Sequence, residues 1–264
     1  MRQKIFFPLF ICCLVWVGFP LFAVEAGNEV NASLFAKALY ESKEGNFVDA
    51  LESWDLFLVS APTDAAALSN RGNVRLALGD SEGAILDQTS AIKILPSETD
   101  PYLNRGIAEE TLGQWDEAIN DYQWVLTREP ENASALYNLG NVVGSVRGDW
   151  LQAKELFNKA SIANPGDVMA RSSNALASYQ LNDFAQAEKE LRTLIRKYPM
   201  FADARAALTA LLWREGSLGE AESHWTAAIG LDSRYREEKW LVNVRRWPSD
   251  PIHDLMAFLD LEPV

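Results

Sequence analysis

The sequence predicts an all-α protein: a right-handed solenoid of six tandem helix-turn-helix units, closed by a C-terminal capping helix. The first observation is an alanine that recurs with steps of 34, 34, 35, 34 and 34 residues, at Ala50, Ala84, Ala118, Ala153, Ala187 and Ala221. The second is a proline that keeps the same spacing, at Pro62, Pro96, Pro130, Pro165 and Pro199. Self-similarity at this period is typical of stacked helix pairs, and such solenoids mostly present surface to partners.

Each unit is predicted to contain helix A, a tight turn, helix B and a second turn marked by proline. In the third unit, helix A includes the stretch from Tyr102 to Ala108, and Gly113 ends it. Helix B then carries apolar residues at spacings of three and four and stops near Pro130. This spacing places one apolar stripe on each helix, so that the two helices can pack together.

Small residues mark the places where the two helices of a unit approach closely. Gly72, Gly106 and Gly140 are predicted to lie on helix A, opposite the recurring alanines of helix B. Another set of glycines ends helix A, since a positive φ stops a helix there, and Asn182 takes that place in the fifth unit. The residues that follow are predicted to cap helix B: Asn46, Asp80, Asp149, Asp183 and Ser217.

Together these residues resemble the tetratricopeptide repeat family over residues 31–235. The resemblance implies six units, at 31–64, 65–98, 99–132, 133–167, 168–201 and 202–235, followed by a capping segment at 236–264. The first two units depart from the family pattern in helix A, where charged residues replace expected apolar ones at Lys37, Glu41, Arg71 and Arg75.

The first 26 residues differ from the rest of the chain. Two basic residues precede an uncharged run at 5–24, and Val24-Glu25-Ala26 offers the small residues that a signal peptidase reads. We expect either a secretory signal or a retained membrane anchor, because about 20 apolar residues can also span a bilayer. Cleavage would remove Cys12 and Cys13, the only cysteines, and leave no thiol chemistry.

The formal net charge of −13 argues against non-specific binding to nucleic acid. The charge is also uneven along the chain. The stretch from Glu98 to Glu131 holds nine acidic and two basic residues, whereas the stretch from Arg234 to Arg246 holds five basic and two acidic ones. This asymmetry indicates either two distinct faces or only solubility with a basic cap.

Nothing in the sequence points to catalysis, a cofactor or a metal site. The two histidines, His224 and His253, are predicted to be a solvated surface residue and a residue at a helix start. No Gly-rich phosphate loop and no HExxH motif is present. The sequons at Asn31 and Asn132 are better interpreted as helix caps than as glycosylation sites. We therefore expect a protein that is not an enzyme.

The family resemblance implies that the A helices line a concave groove, and it places ten candidate partner-binding residues there. Asparagine can donate and accept hydrogen bonds at once, so a ladder of asparagines can hold the backbone of an extended peptide, while aromatic side chains supply pockets. The candidates are Asn70, Asn73, Leu103, Asn104, Ile107, Tyr137, Asn138, Asn141, Tyr179 and Trp213, with Phe35, Met169 and Leu176 beside them. The alternative is that the asparagines bond neighbouring helices and the aromatic rings merely pack.

The expected partner is a protein or peptide, neutral or basic because the middle of the chain is acidic. The carboxylate clamp of the family's chaperone-binding members is not expected, because its basic residues are missing, for example at Ser69 and Leu103. Trp124 lies on helix B where the pattern places a solvated residue. It is predicted either to contact a partner on the convex side or to be buried under a neighbouring side chain or loop.

The tail carries Val-Arg-Arg-Trp-Pro at 244–248 and then a short amphipathic pattern at 252–259, which a capping role explains. It resembles the end of tetratricopeptide proteins of cyanobacteria and plastids, some of them described as thylakoid-lumen proteins. That resemblance implies export to a thylakoid lumen or periplasm, with possible membrane association through the N-terminal segment. We expect a protein-binding scaffold that assists assembly of a membrane-associated complex; the alternative is a structural, self-associating solenoid.

Overall fold

The structure, a computed structural model, describes residues 21–260, and side chains from residue 30 onward. It confirms the all-α solenoid. Twelve helices form the six pairs: α1 Leu21–Lys43, α2 Phe47–Ser60, α3 Ala65–Ala77, α4 Ser81–Ile94, α5 Asp100–Thr111, α6 Trp115–Arg128, α7 Ala133–Ser145, α8 Trp150–Ala163, α9 Val168–Gln180, α10 Phe184–Lys197, α11 Ala202–Arg214 and α12 Leu218–Leu231.

Most of the predicted N-terminal signal or anchor, residues 1–20, lies outside the described residues. Helix α1 begins at Leu21 and continues through the position of the predicted cleavage at Ala26. Within residues 21–260, no helix combines the length and apolar character needed to cross a bilayer. Both the signal and the anchor therefore stay predictions.

The odd-numbered helices, the A helices, form the inner layer of the solenoid. Each packs on the B helix of its own unit and on the B helix of the unit before. Successive A helices also contact one another, at α1–α3, α3–α5, α5–α7 and α9–α11, and no comparably close contact joins successive B helices in the described part. The A helices are thus closer together than the B helices, which puts them on the concave side.

The turns within the units follow the prediction. Positive φ angles of 72° to 86° end helix A at Gly45, Gly79, Gly113, Gly148 and Gly216, and Asn182 has a φ of 62°. The predicted capping is right for Asp80 and Asp149, whose side chains accept from the backbone of helix B. Asn46, Asp183 and Ser217 occupy the capping position but make no such hydrogen bond. There the glycine or asparagine turn stops helix A without a side-chain cap on helix B.

The close approach predicted at the small residues is also present. A Cβ built on Gly106 would lie 2.7 Å from the ring of Tyr122, and one on Gly140 would lie 2.8 Å from the ring of Phe157. Aromatic rings of helix B therefore fill the space that glycine leaves on helix A. Any larger side chain at these positions would push the helix pair apart.

The charged residues in the first helix pairs have partners across the pair. The Lys37 ammonium donates to the Ser53 hydroxyl at 3.0 Å. The Arg71 guanidinium makes two hydrogen bonds to the Asp87 carboxylate, at 2.8 and 2.6 Å. These contacts link residues 16 apart in sequence and replace the apolar packing that the family pattern predicts there.

The C-terminal capping helix is present as Ser249–Leu259, here called the terminal helix. It does not lie on the end of the stack, because it packs against α11 and α9 on the concave side. The chain reaches it through a 3₁₀ turn at Ser233–Arg236, a short turn of helix at Glu238–Trp240 and a π-helical turn at Leu241–Arg245. We call residues 233–259 the tail, and it runs inside the groove.

Candidate binding groove

The groove is open at the second and third units. A recess of about 240 Å³ lies between α3 and α5 and includes three of the predicted asparagines. Its lining is Ala65, Ala66, Ser69, Asn70, Asn73, Leu95, Glu98, Asp100, Pro101 and Asn104. The 34-residue period places Asn70 and Asn104 at the same position of successive A helices, and stacking brings them to one wall.

Most of the predicted asparagines keep their amide groups free. Within residues 21–260, the side chains of Asn70, Asn104, Asn138 and Asn141 make no hydrogen bond, and each is half-buried. Only Asn73 is engaged, because its Oδ1 accepts from Nε2 of Gln88 at 2.9 Å. The alternative role of bonding neighbouring helices therefore applies to Asn73 alone.

A buried glutamine supports the floor of the recess. Gln88 is 1% exposed and donates through Nε2 both to the Asn73 side chain and to the backbone oxygen of Ser69, each at 2.9 Å. A Cβ on Gly72 would lie 2.8 Å from that nitrogen, so glycine is needed for this contact. Sequence reasoning missed Gln88; the signal was a polar residue at a position where the third and fourth units carry Tyr122 and Phe157.

The middle of the groove is lined by half-buried apolar side chains. Leu103, Ile107 and Tyr137 pack against the core shared by the third and fourth units. The ring of Tyr137 lies 5.8 Å from that of Phe157. These side chains lie between the free asparagines, and part of each remains in solvent.

Two predicted groove residues do not line an open groove. Tyr179 is completely buried, and its hydroxyl donates to the Asp254 carboxylate of the terminal helix at 2.7 Å. This burial raises the pKa of the Tyr179 phenol above its ordinary range, and the bond to Asp254 raises it further. Trp213 is half-buried, with its ring 6.1 Å from that of Phe258 in the terminal helix. The prediction of open positions is wrong here because the tail covers both.

The aromatic and apolar residues named beside the ten candidates also serve packing. Phe35 lies edge-on to Trp54 and Phe57, at ring distances of 4.9 and 5.3 Å, within the core of the first unit. Leu176 is 2% exposed. Met169 accepts a weak hydrogen bond at sulfur from the Arg245 guanidinium of the tail.

One buried carboxylate, Asp203 at the start of α11, holds the tail in the groove. Its Oδ1 accepts from the Tyr235 hydroxyl at 2.8 Å, the Trp247 indole at 3.1 Å, and the Arg245 guanidinium at 2.9 and 2.7 Å. Its Oδ2 accepts from the Ser172 hydroxyl at 2.5 Å. Burial opposes the charge of Arg245, yet the neighbouring Asp203 raises the pKa of Arg245 overall. Sequence reasoning did not identify Asp203.

The next residue of the tail reaches the third unit. The Arg246 guanidinium lies 2.8 Å from Oε2 of Glu110 and sits over the ring of Trp115. Glu110 also accepts from the Tyr122 hydroxyl at 2.5 Å. Burial raises the pKa of Glu110 overall, against the opposing effects of Arg246 and Tyr122. One residue of the basic tail thus pairs with the acidic stretch that the sequence sets apart, and both interpretations of the charge asymmetry stay open.

Trp124 is held between two side chains. The Trp124 ring stacks on the Tyr102 ring with the two centroids 3.5 Å apart. The guanidinium of Arg128, which also belongs to α6, lies 3.5 Å from the centroid of the Trp124 ring. The ring is half-buried, as expected from the alternative of burial under neighbouring side chains.

The two histidines occupy different surroundings. His224 is half-buried, and burial lowers its pKa, so the predicted solvated position is wrong. His253 is exposed in the first turns of the terminal helix. In the described part of the chain, no three histidine, cysteine or acidic side chains are grouped as a metal site would need.

Comparison with known proteins agrees with this architecture. A family model described as "Tetratricopeptide repeat" matches residues 35–98, 146–199 and 173–235, and one described as "TPR repeat" matches 111–145. The human protein named Tetratricopeptide repeat protein 6 is 29% identical over 136 residues. That match covers 51% of this chain but only 26% of the human protein.

Two solved structures show the same fold. A tetratricopeptide repeat protein from Parabacteroides merdae has a TM-score of 0.63 and 20% identity, covering 87% of this chain and 98% of its own. YrrB, described as a TPR protein with an unusual peptide-binding site, has a TM-score of 0.56 and 18% identity, covering 69% of this chain and 94% of its own. The family models match more than half of the sequence, and this chain therefore belongs to the tetratricopeptide repeat family.

Proposed function

We propose that this chain is a non-enzymatic scaffold that holds a segment of a partner protein in the open part of its groove. The observation that carries the proposal is the set of free amides at Asn70, Asn104, Asn138 and Asn141 along the concave wall. Each amide can donate to and accept from a peptide backbone without losing an internal hydrogen bond. The membership in a family of protein-binding scaffolds supports the same function.

The charge at the recess favours a neutral or basic partner. Glu98 and Asp100 are both exposed on its rim, and neither forms an ion pair within residues 21–260. A lysine or arginine of the partner would find two carboxylates there, beside apolar contacts with Leu95 and Pro101. Such rim charges mainly determine which partners associate and how fast.

The test is affinity capture from the host with a tagged chain, in wild-type form and as the triple variant Asn70→Ala, Asn104→Ala, Asn138→Ala. We expect at least one partner to be retained by the wild type and lost by the triple variant. The matched control is Asn120→Ala, an exposed asparagine on helix α6, which should retain every partner. Equal retention by all three proteins contradicts the proposal.

Export and a role in assembling a membrane-associated complex, in a thylakoid lumen or periplasm, are part of the proposal. They are supported by the pattern of residues 1–26 and by the resemblance of the tail. Fractionation of the host, with mass spectrometry of the protein's N-terminus, tests both. A chain found in the cytoplasm with Met1 intact contradicts the export proposal, and a processed N-terminus near Gly27 in a lumenal fraction agrees with it.

A second candidate function is self-association through the first unit. The observation that favours it is a group of exposed apolar side chains at that end of the stack, with Val30 63%, Leu56 60% and Val59 80% exposed. Light scattering over a wide concentration range tests it. A dimer that Leu56→Asp abolishes supports self-association, whereas a monomer at all concentrations argues against it.

A further inference from the structure

The tail contacts the groove as a bound peptide would. Arg245 reaches the start of the fifth and sixth units through Met169 and Asp203, and Arg246 reaches Glu110 in the third unit. Trp247 then donates to the same Asp203 oxygen. Three consecutive side chains of the tail therefore contact three different units, although solenoid units ordinarily contact only their neighbours.

The groove side of these contacts is polar and depends on the tail for its hydrogen bonds. Without the tail, Asp203 would keep only the Ser172 hydroxyl of its described donors. Gln180 accepts from the backbone of Asp250 at 2.9 Å. Arg214 and Tyr179 both donate to Asp254. A permanent core would more often carry apolar residues at such positions, whereas recognition surfaces keep polar groups that fix a ligand's register.

The tip of the tail, residues 241–247, is held by these contacts rather than by its own backbone preference. Arg246 has a φ of 53°, in the left-handed region that non-glycine residues seldom adopt. The preceding turn is π-helical, a rare form that is common at functional sites. Val242 and Val244 are 47% and 61% exposed. The tip also buries Leu241 and Trp247, in the same apolar cluster as Leu255 and Phe258 of the terminal helix. The terminal helix differs in its backbone, which is a regular α-helix.

We propose that Glu110, Ser172 and Asp203 form a recognition site for a partner segment with two adjacent arginines followed by an aromatic residue. The tip of the tail is the resident occupant of this site, which it contacts through Arg245, Arg246 and Trp247, and the partner binds by displacing it. The terminal helix stays in place. This inference rests on the proposed protein-binding function, but it uses a different part of the groove from the free asparagines.

The chemistry of the site selects the partner. The buried carboxylate of Asp203 and the half-buried one of Glu110, in separate units, accept charge-assisted hydrogen bonds from guanidinium groups. The planar donors of a guanidinium suit carboxylates better than an ammonium does. Trp115 offers a ring face to one guanidinium, as it does now to Arg246. The aromatic residue must also bring a donor to Asp203, as the Trp247 indole does.

The test is fluorescence anisotropy with a labelled peptide of residues 239–249 added to the full chain. The chain is used as wild type, as the double variant Arg245→Ala, Arg246→Ala, and as the control Lys239→Ala, an exposed residue of the same tail. We expect the double variant to bind the peptide about tenfold tighter than the wild type, because its own tip no longer competes. Lys239→Ala should match the wild type.

A second peptide with alanine at both arginines tests the chemical class, and it should bind none of the chains. The inference is overturned if all chains bind the first peptide equally, or if the second peptide binds the double variant as well as the first does. A wild-type chain that dimerises by exchanging tails also overturns it, because the displacing segment is then a second copy.

Hydrogen exchange on the wild-type chain gives a measurement that does not depend on how well the double variant folds. Excess arginine-containing peptide should speed amide exchange at residues 241–247 and leave the terminal helix unchanged. No change at 241–247 with saturating peptide contradicts displacement. The Asn70→Ala, Asn104→Ala, Asn138→Ala chain should still bind the peptide, so a failure of the proposed function in the open groove remains distinguishable from a failure here.

Discussion

In the second and third units, the buried charges lie inside the helix pair, at Arg71–Asp87 and Arg105–Asp121. In the sixth unit, the positions of Arg71 and Arg75 hold the buried Leu208 and Leu212, and the position of Asp87 holds the half-buried His224. Its buried charge, Asp203, lies instead on the concave face. The same backbone plan thus places its ion pairs in two different locations.

The location of the charge decides what the ion pair connects. The interior pairs join residues 16 apart in one unit, and their arginines also reach the B helix of the unit before, Arg71 at Asp55 and Arg105 at Thr89. The Asp203–Arg245 pair joins residues 42 apart and draws the tail across the groove. The Arg71–Asp87 and Arg105–Asp121 pairs leave the recess between α3 and α5 open, whereas the Asp203–Arg245 pair lies under the tail.

We expect the largest loss of stability from replacing Asp203, the carboxylate that holds the tail in the groove. Asp203→Ala leaves the Arg245 guanidinium buried without its carboxylate, so we expect the free energy of unfolding to fall by about 3–5 kcal/mol. Urea unfolding followed by circular dichroism measures it. The control Asp232→Asn alters an ion pair with the exposed Arg234 and should cost less than about 1 kcal/mol. If Asp203→Ala lowers the free energy of unfolding no more than Asp232→Asn does, the proposed difference between the open and the covered part of the groove is wrong.

The next effect tests whether interior pairs are needed at all. Arg105→Leu leaves Asp121 and Glu109 buried together without a cation, which should cost about 2–3 kcal/mol. The double variant Arg105→Leu, Asp121→Leu reproduces Leu139 and Leu156 at the same positions of the fourth unit, and should recover most of that loss. Urea unfolding of both variants measures whether the double variant recovers the lost stability. A double variant no more stable than the single one shows that the pair itself is required.

A smaller effect concerns Glu109, whose pKa is raised to about 7 by burial and by the nearby Asp121, against the opposing effect of Arg105. The folded state then holds a proton that the unfolded state releases, so this group lowers stability as pH rises from about 4.5 to 7. Glu109→Gln should therefore stabilise the chain by about 1–2 kcal/mol at pH 8 and little at pH 4.5. Unfolding at the two pH values checks this, and an equal gain at both argues against titration of Glu109.

The smallest expected effect is a difference in amide hydrogen exchange between the open and the tail-covered units of the wild-type chain. The tail ties the fifth and sixth units to the third, so we expect amides in α9 and α11 to exchange about tenfold more slowly than those in α3. Native-state hydrogen exchange with mass spectrometry measures this. In the Arg246→Ala chain the ratio should shrink, while Lys239→Ala should leave it unchanged. Uniform exchange along the solenoid would show that the tail adds no long-range stability.

The units were predictable because their signals are local and repeated. Alanine, glycine and proline at a fixed period report the close approach and the turns of each unit, and the same period placed Asn70 and Asn104 together. The weak first and second units had a local explanation too, since Arg71 finds Asp87 only 16 residues away.

The path of the tail was not predictable in the same way. Residues 233–248 have no equivalent in the six units, so no period indicates where they pack. Asp203 looks like an ordinary acidic residue in the first turn of a helix, where Asp100 is exposed in the third unit. Its burial depends on a segment far along the chain. Tyr179 is covered by a different part of the tail, the terminal helix with Asp254. The mistaken groove residue and the missed carboxylate therefore both depend on the path of the tail.

Because the chain is synthesised from its N-terminus, the tail that covers part of the groove is made after the units that form the groove. The six units precede the tail in sequence, and units that contact only their neighbours can fold as they emerge from the ribosome. Residues 245–247 follow Glu110, Ser172 and Asp203 in the chain, whether it emerges from a ribosome or from a translocation channel. If the units fold in the order in which they emerge, the groove is complete before the tail covers it, and a partner present at that stage meets a longer surface than one that arrives later.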